Sequence, residues 1–270
     1  MPTSPNPGLR RLALEQRIFY EFGAFAAASP LLRAAGRGDR HPVLVLPGFT
    51  ASDQSTVPLR SIIRSQGYWV HGWRLGRNLG PTQEVLEGLM DRLHLLNERH
   101  EAKVSLVGWS LGGIYARGMA RAFPNLVRQV ITLGSPYRVR DRGDSPVGRL
   151  YMRLEPRHAL TVRDAGVMPP EEDLPPLTVP CTSIYTRTDG VIHWSHCIDA
   201  QGPRRENIEV RSSHVGLGVN PPAIYAISDR LAQREGEWRP FKPPRLLSHL
   251  YPKPVWWSPS SDARVAVSGA

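Results

Sequence analysis

From His41 onward the chain alternates short apolar runs with amphipathic stretches, and this alternation restricts the fold more than any other feature. The apolar runs are Val43–Leu46, Tyr68–Trp73, Val104–Trp109, Gln129–Leu133, Thr182–Thr186 and the short Ile208–Val210. They are near-continuously apolar, the pattern of strands covered on both faces. Helical patterns separate them at Thr56–Gln66, Thr82–Glu98, Gly113–Phe123 and Pro222–Gln233, and Val85, Leu89, Leu93 and Leu96 recur at helical spacing in the second. The order predicts an α/β fold: a mostly parallel sheet of about six strands with helices on both faces.

A chain of 270 residues fits one such domain with an insertion. We expect the domain over 41–236, preceded by a tail and helix (1–40) and followed by a Pro/Trp-rich segment (237–270) that is either a strap or a partly disordered end. In the N-terminal part, Leu9–Ala28 places Leu12, Ile18, Phe19, Phe22 and Phe25 on one helical face, predicted to pack on the domain. After Leu133 comes an insertion of about 45 residues, too long for an ordinary connection. It spans 137–180 and reads as a lid, with Val147, Leu150, Tyr151 and Leu154 on one helix and Pro169, Pro170, Pro175 and Pro176 in a stiff return.

The formal charge is +10, which would suit an anionic partner or a peripheral contact with a membrane surface. Basic Arg138, Arg140, Arg142, Arg149 and Arg153 are interleaved with Asp141, Asp144 and Glu155, however, and no nucleic-acid motif accompanies them, so we expect no nucleic-acid partner. The apolar run Phe22–Leu32 follows Arg10, Arg11 and Arg17, but Glu15 and Glu21 beside it argue against a secretory signal. A cytoplasmic location is the default expectation. Cys181 and Cys197 are the only cysteines, either free thiols or a single bridge tying the segment between them. No zinc-type ligand spacing is present, and we expect neither metal nor cofactor.

Gly108-Trp109-Ser110-Leu111-Gly112 matches G-x-S-x-G, a pattern that composition alone would produce on the order of one time in ten. Its setting is more specific: it follows the strand Val104–Val107 and precedes a helical run, the strand-turn-helix context of a nucleophile elbow. There the small Gly108 and Gly112 let strand and helix close around a strained Ser110. The alternative is a buried structural serine in a Gly-rich turn.

A serine hydroxyl needs a histidine to take its proton and a carboxylate to orient that histidine. Asp189 lies where the run Ser183–Thr186 passes into a loop, ahead of Gly190, and is the predicted acid; Asp199 and Asp164 compete, and an Asp-Gly turn is the bland reading. His214, in Ser212-Ser213-His214-Val215-Gly216 after the last short strand, is the predicted base. His193 and His196 could line the site. Backbone N–H groups of Leu111, after the serine, and of Phe49, in Leu46-Pro47-Gly48-Phe49, are the expected oxyanion donors.

These four motifs in this order, from Leu-Pro-Gly-Phe through Gly-Trp-Ser-Leu-Gly-Gly and Thr-Asp-Gly to Ser-His-Val-Gly-Leu-Gly, resemble those of bacterial α/β-hydrolase esterases and lipases over about His41 to Gln233. The resemblance implies the α/β-hydrolase fold and cleavage of carboxylic esters through an acyl-enzyme on Ser110. The His-Gly-Gly-Gly hole of hormone-sensitive-lipase-like esterases is absent. A lone Gly48-Phe49 is similar to the hole of lipases that take medium or long acyl chains. Acyl transfer and thioester hydrolysis would use the same three residues. A non-catalytic lipid-binding protein with this fold is the reading from another class.

Overall fold

The computed structural model describes residues 13–35, 38–138 and 171–258. The strands are β1 (Pro42–Leu46), β2 (Trp69–Gly72), β3 (Val104–Trp109), β4 (Val127–Leu133), β5 (Cys181–Tyr185) and β6 (Arg205–Glu209). They form one six-stranded sheet in the order β2-β1-β3-β4-β5-β6, with every pairing parallel. The helices are α1 (Ile18–Ala34, entered through a 3₁₀ turn at Leu14–Arg17), α2 (Val57–Ser65), α3 (Gln83–His100), α4 (Leu111–Ala122) and α5 (Pro221–Leu231).

Period-two geometry divides the strand residues between two cores. Val43 and Val45 of β1 pack with Leu59, Ile62 and Ile63 of α2 and with Ala223, Ile224 and Ile227 of α5. Leu44 and Leu46 face the other way, onto Leu89, Leu93 and Leu96 of α3 and Tyr115 and Met119 of α4. Both faces of the sheet are therefore covered, which is why the strands read as apolar throughout. Local chemistry sets helix starts: Thr82 Oγ1 accepts from Val85 N–H ahead of α3, and Asn220 Oδ1 accepts from Ala223 N–H ahead of α5, whose first residue is Pro221.

Two elements differ from expectation. The last strand runs from Arg205 to Glu209, where sequence polarity hides it. Glu206 and Asn207 are buried because they are paired: Glu206 Oε1 accepts from Thr182 and Arg230, and Asn207 bonds the backbone of Asp199 and Val255. The second difference is α1, which runs on to Ala34, beyond the predicted end at Ala28. Of its predicted inward face Phe25 does pack on the core, but Phe19 is 77% and Phe22 46% exposed. The inward stripe is instead Glu21, Phe25, Ala28 and Leu32, with Ala28 and Leu32 also on the core. A glutamate occupies an inward position because it has partners there.

Residues of the C-terminal segment up to Ser258 run over the domain. Trp257 N–H donates to Asp199 O, Val255 N–H to Tyr185 Oη, and Tyr251 Oη to Pro222 O. Of the insertion, the helix read at Val147, Leu150, Tyr151 and Leu154 lies outside the described residues. No helix among the described residues is long and apolar enough to cross a membrane.

Candidate active site

A parallel sheet delivers all strand ends of one polarity to one edge, and the connections leaving that edge carry the predicted site. The centre is the step from β3 into α4. Ser110 has φ 52 and ψ −120, a backbone conformation that costs on the order of 1–3 kcal/mol and persists only where its surroundings impose it. Here Ser110 N–H donates to Leu133 O at 2.8 Å, and Ser110 O accepts from Gly113 N–H at 3.0 Å. A side chain at Gly108 would put its Cβ 2.3 Å from Gly113 Cα, and one at Gly112 would sit 2.4 Å from Leu46 O. Both glycines are thus required by close backbone approach, as the motif predicts.

Asp189 follows β5 and is buried. Its Oδ1 accepts from Val191 N–H at 2.9 Å and Ile192 N–H at 2.7 Å, and its Oδ2 lies 2.7 Å from His214 Nδ1. With Nδ1–H donating to a carboxylate, the hydrogen-bond network assigns the tautomer that leaves Nε2 as an acceptor. His214, in the loop after β6, is also buried. Burial pushes its pKa down, but the charge and hydrogen bond of Asp189, with a further contribution from Glu15, overcome this and raise it above 6.5. The ring lies against Gly134, and His214 O accepts from Trp109 Nε1–H at 3.2 Å, so the histidine loop is tied to the residue preceding Ser110. Ser110 Oγ and His214 share no hydrogen bond among the described residues; such contacts are often long before substrate binds.

Leu111 opens α4, where the first backbone N–H groups have no partner within the helix. Gly48 lies against Ser110, a Cβ there falling 3.9 Å from Ser110 Oγ, and Phe49 follows it in the turn leaving β1.

The competing residues have other partners. Asp199 is buried in an ionic cluster: its Oδ2 accepts from both Nη atoms of Arg117 at 3.0 Å, and its Oδ1 from Arg138 at 3.4 Å. Asp164 lies outside the described residues. His193 Nδ1 is 2.7 Å from Ser195 Oγ, beside the acid's loop. Cys181 and Cys197 are free buried thiols, the first of the two alternatives, and Cys181 Sγ accepts from Arg117. Among the described residues no three His, Cys, Asp or Glu side chains converge to hold a metal ion.

Sequence reasoning missed three residues altogether. Glu15, Arg17 and Glu21 bond the loops bearing Asp189 and His214. Their one visible signal was the presence of acids beside an apolar run.

Sheet order, parallel strands, elbow and edge loops together define the α/β-hydrolase fold. Solved structures agree. Lipase B of Aspergillus fumigatus superposes with a TM-score of 0.55 at 18% identity, over 74% of this chain and 54% of that one, so this chain spans about half its length. A structure from the metagenome-derived lipolytic enzymes LipS and LipT gives 0.51 at 19% identity, covering 67% of this chain and 87% of that one. A lipase of Bacillus licheniformis, BlEst2 in mature form, gives 0.50 at 14%, covering 72% and 93%. No family model matches the sequence, and no curated protein does.

Proposed function

We propose that this protein is a serine hydrolase that cleaves carboxylic esters through an acyl-enzyme on Ser110. The observation that carries this reading is the buried 2.7 Å pair of His214 Nδ1 and Asp189 Oδ2, set at the same sheet edge as the strained Ser110. His214 Nε2 accepts the Ser110 proton as Oγ attacks the acyl carbon, then returns it to the departing alcohol. Water enters by the reverse sequence and frees the acid. Asp189 holds the tautomer and steadies the imidazolium. The N–H groups of Phe49 and Leu111 receive the oxyanion of each tetrahedral intermediate. Residues 137–180 form a cap over the acyl site, and the substrate is a small-molecule or lipid ester.

The lipase and lipolytic neighbours share this fold at low identity and support the reading by analogy. The test is twofold: labelling with a serine-directed fluorophosphonate, and hydrolysis of p-nitrophenyl butyrate. Wild type should show both, and Ser110→Ala neither. His214→Ala should lose nearly all hydrolysis. Undiminished labelling or turnover in Ser110→Ala would overturn the assignment.

A further inference from the structure

The two loops that carry Asp189 and His214 are held from outside the hydrolase core, by the segment that opens the described chain. Glu15 Oε1 accepts from Gly190 N–H at 2.8 Å and from His214 N–H at 3.0 Å, while its Oε2 accepts from Val215 N–H at 3.0 Å. One carboxylate therefore joins the residue after the acid to the backbone of the base. Arg17 Nη2 donates to Thr188 O at 3.0 Å and Ser212 O at 3.2 Å, spanning the same pair of loops one residue upstream of the acid and two upstream of the base. Glu21 Oε1 accepts from Ser212 Oγ and Ser213 N–H, both at 2.8 Å, and its Oε2 accepts from Ser213 Oγ. The histidine loop is shaped for this: a Cβ at Gly216 would lie 1.7 Å from Glu21 Oε2.

We infer that Glu15, Arg17 and Glu21 are positioning residues of the active site, and that Glu15 is a second carboxylate serving His214 from its main-chain side. The inference rests on the proposed serine-hydrolase reading and extends it to a segment about two hundred residues away in sequence. The reasoning is geometric. Loops after β5 and β6 have no ladder to fix their relative position beyond the strand ends, yet the Asp189–His214 bond needs that position held within a few tenths of an ångström. Charge-assisted bonds are short and directional, and eight of them, to backbone N–H and C=O groups and to serine hydroxyls, converge here from two turns of chain. Uncharged bonds from Thr186 and Thr188 tie the two loops at Ser212, and the charged contacts extend that tie to Gly190, Ser213, His214 and Val215.

The groups facing His214 are Asp189 at Nδ1, Glu15 at its backbone, and Arg17 and Glu21 on the preceding serines. Against the lowering effect of burial, Asp189 first and Glu15 after it raise the His214 pKa. Glu15→Gln keeps the shape, removes the charge and replaces one acceptor by a donor. Two effects are expected: a fall in kcat of about ten-fold with KM little changed, and a downward shift of the acid limb of kcat/KM. Glu21→Gln retains the Glu15 charge and should lower kcat with a smaller shift. Phe19→Ser, on the exposed side of α1, serves as control and should leave both unchanged.

Titration of the His214 imidazole by NMR, in wild type and Glu15→Gln, needs no turnover and checks the same effect where activity is low. Unaltered kcat and pH profile in folded Glu15→Gln and Glu21→Gln would overturn the inference, as would an unmoved imidazole titration. The Ser110 reading is judged separately, on loss of hydrolysis in Ser110→Ala in the same assay. A Ser110→Ala enzyme that is dead, beside a Glu15→Gln enzyme indistinguishable from wild type, would leave the hydrolase standing and remove the clamp.

Discussion

Replacing Asp189 by asparagine separates what this residue does for the fold from what it does for the proton. The new Oδ1 can still accept from Val191 and Ile192 N–H, which the carboxylate now holds at 2.9 and 2.7 Å. The atom facing His214 becomes an NH₂ donor, however, and a donor cannot meet Nδ1–H at 2.7 Å. The ring therefore moves its proton to Nε2, the atom that must accept from Ser110. A wrong tautomer in a triad of this kind costs roughly 10⁴ in kcat, or about 5 kcal/mol of transition-state stabilisation. Stability should change little, because two of the three accepted bonds survive. Asp189→Ala makes the contrast: it leaves three buried donors without an acceptor, at about 1–3 kcal/mol each. Kinetics with p-nitrophenyl butyrate beside thermal unfolding should show Asn inactive with a near-native Tm, and Ala both inactive and destabilised. An Asn variant within ten-fold of wild-type kcat would refute the tautomer argument.

Three further outcomes are expected. Because His214 has a pKa above 6.5 in the folded protein, kcat/KM should fall as pH drops through that raised value, since the protonated ring cannot accept from Ser110; an acid limb centred below 6.5 would contradict this. The same shift stabilises the fold fully below the unfolded value and is lost as pH rises through the folded one. Arg117→Met should cost about 3 kcal/mol by leaving Asp199 and Glu171 under-compensated in a buried site, seen as a lower urea midpoint. If the 137–180 insertion covers the acyl group, each shielded methylene gains up to about 0.8 kcal/mol, so kcat/KM should rise from p-nitrophenyl acetate to butyrate to octanoate and flatten when the insertion is shortened; a maximum at acetate would reject the lipase-like reading.

What the sequence made legible follows from how each residue finds its partners. Strands buried on both faces announce themselves by continuous apolarity, so β1 to β5 were placed to within a residue or two. The elbow was legible because its glycines and serine are adjacent. Asp189 and His214 were legible through their position just past strand ends, and their pairing needed only the parallel order of β5 and β6. Polar residues satisfied across long sequence distances left no such trace. Glu206 in β6 reads as loop until Arg230 and Thr182 are seen beside it. Glu21 reads as the wet side of a helix, while Phe19 and Phe22, which read as its dry side, face outward. Hydrophobic periodicity assumes that inward positions are apolar, and α1 breaks that assumption where its Glu21 carboxylate meets Ser213 N–H.

The same principle accounts for the largest buried ionic cluster described. Arg117, on α4 directly after the elbow, bonds Asp199 and Glu171, with its guanidinium 3.9 Å from the Tyr137 ring centroid. Arg138 joins the cluster through Asp199 and also covers Trp257 of the C-terminal segment. The described residues on either side of 139–170 thus meet at this cluster: Tyr137 and Glu171 both contact the Arg117 guanidinium, and Glu171 also accepts from Arg121. A buried charge network of this kind adds little net stability compared with apolar packing of the same volume, but it penalises any arrangement that separates its members. Its effect is to hold Tyr137, Arg138 and Glu171, which flank residues 139–170 in sequence, against or beside the helix that begins at Leu111, so that this part of the chain is anchored to the same helix that follows Ser110.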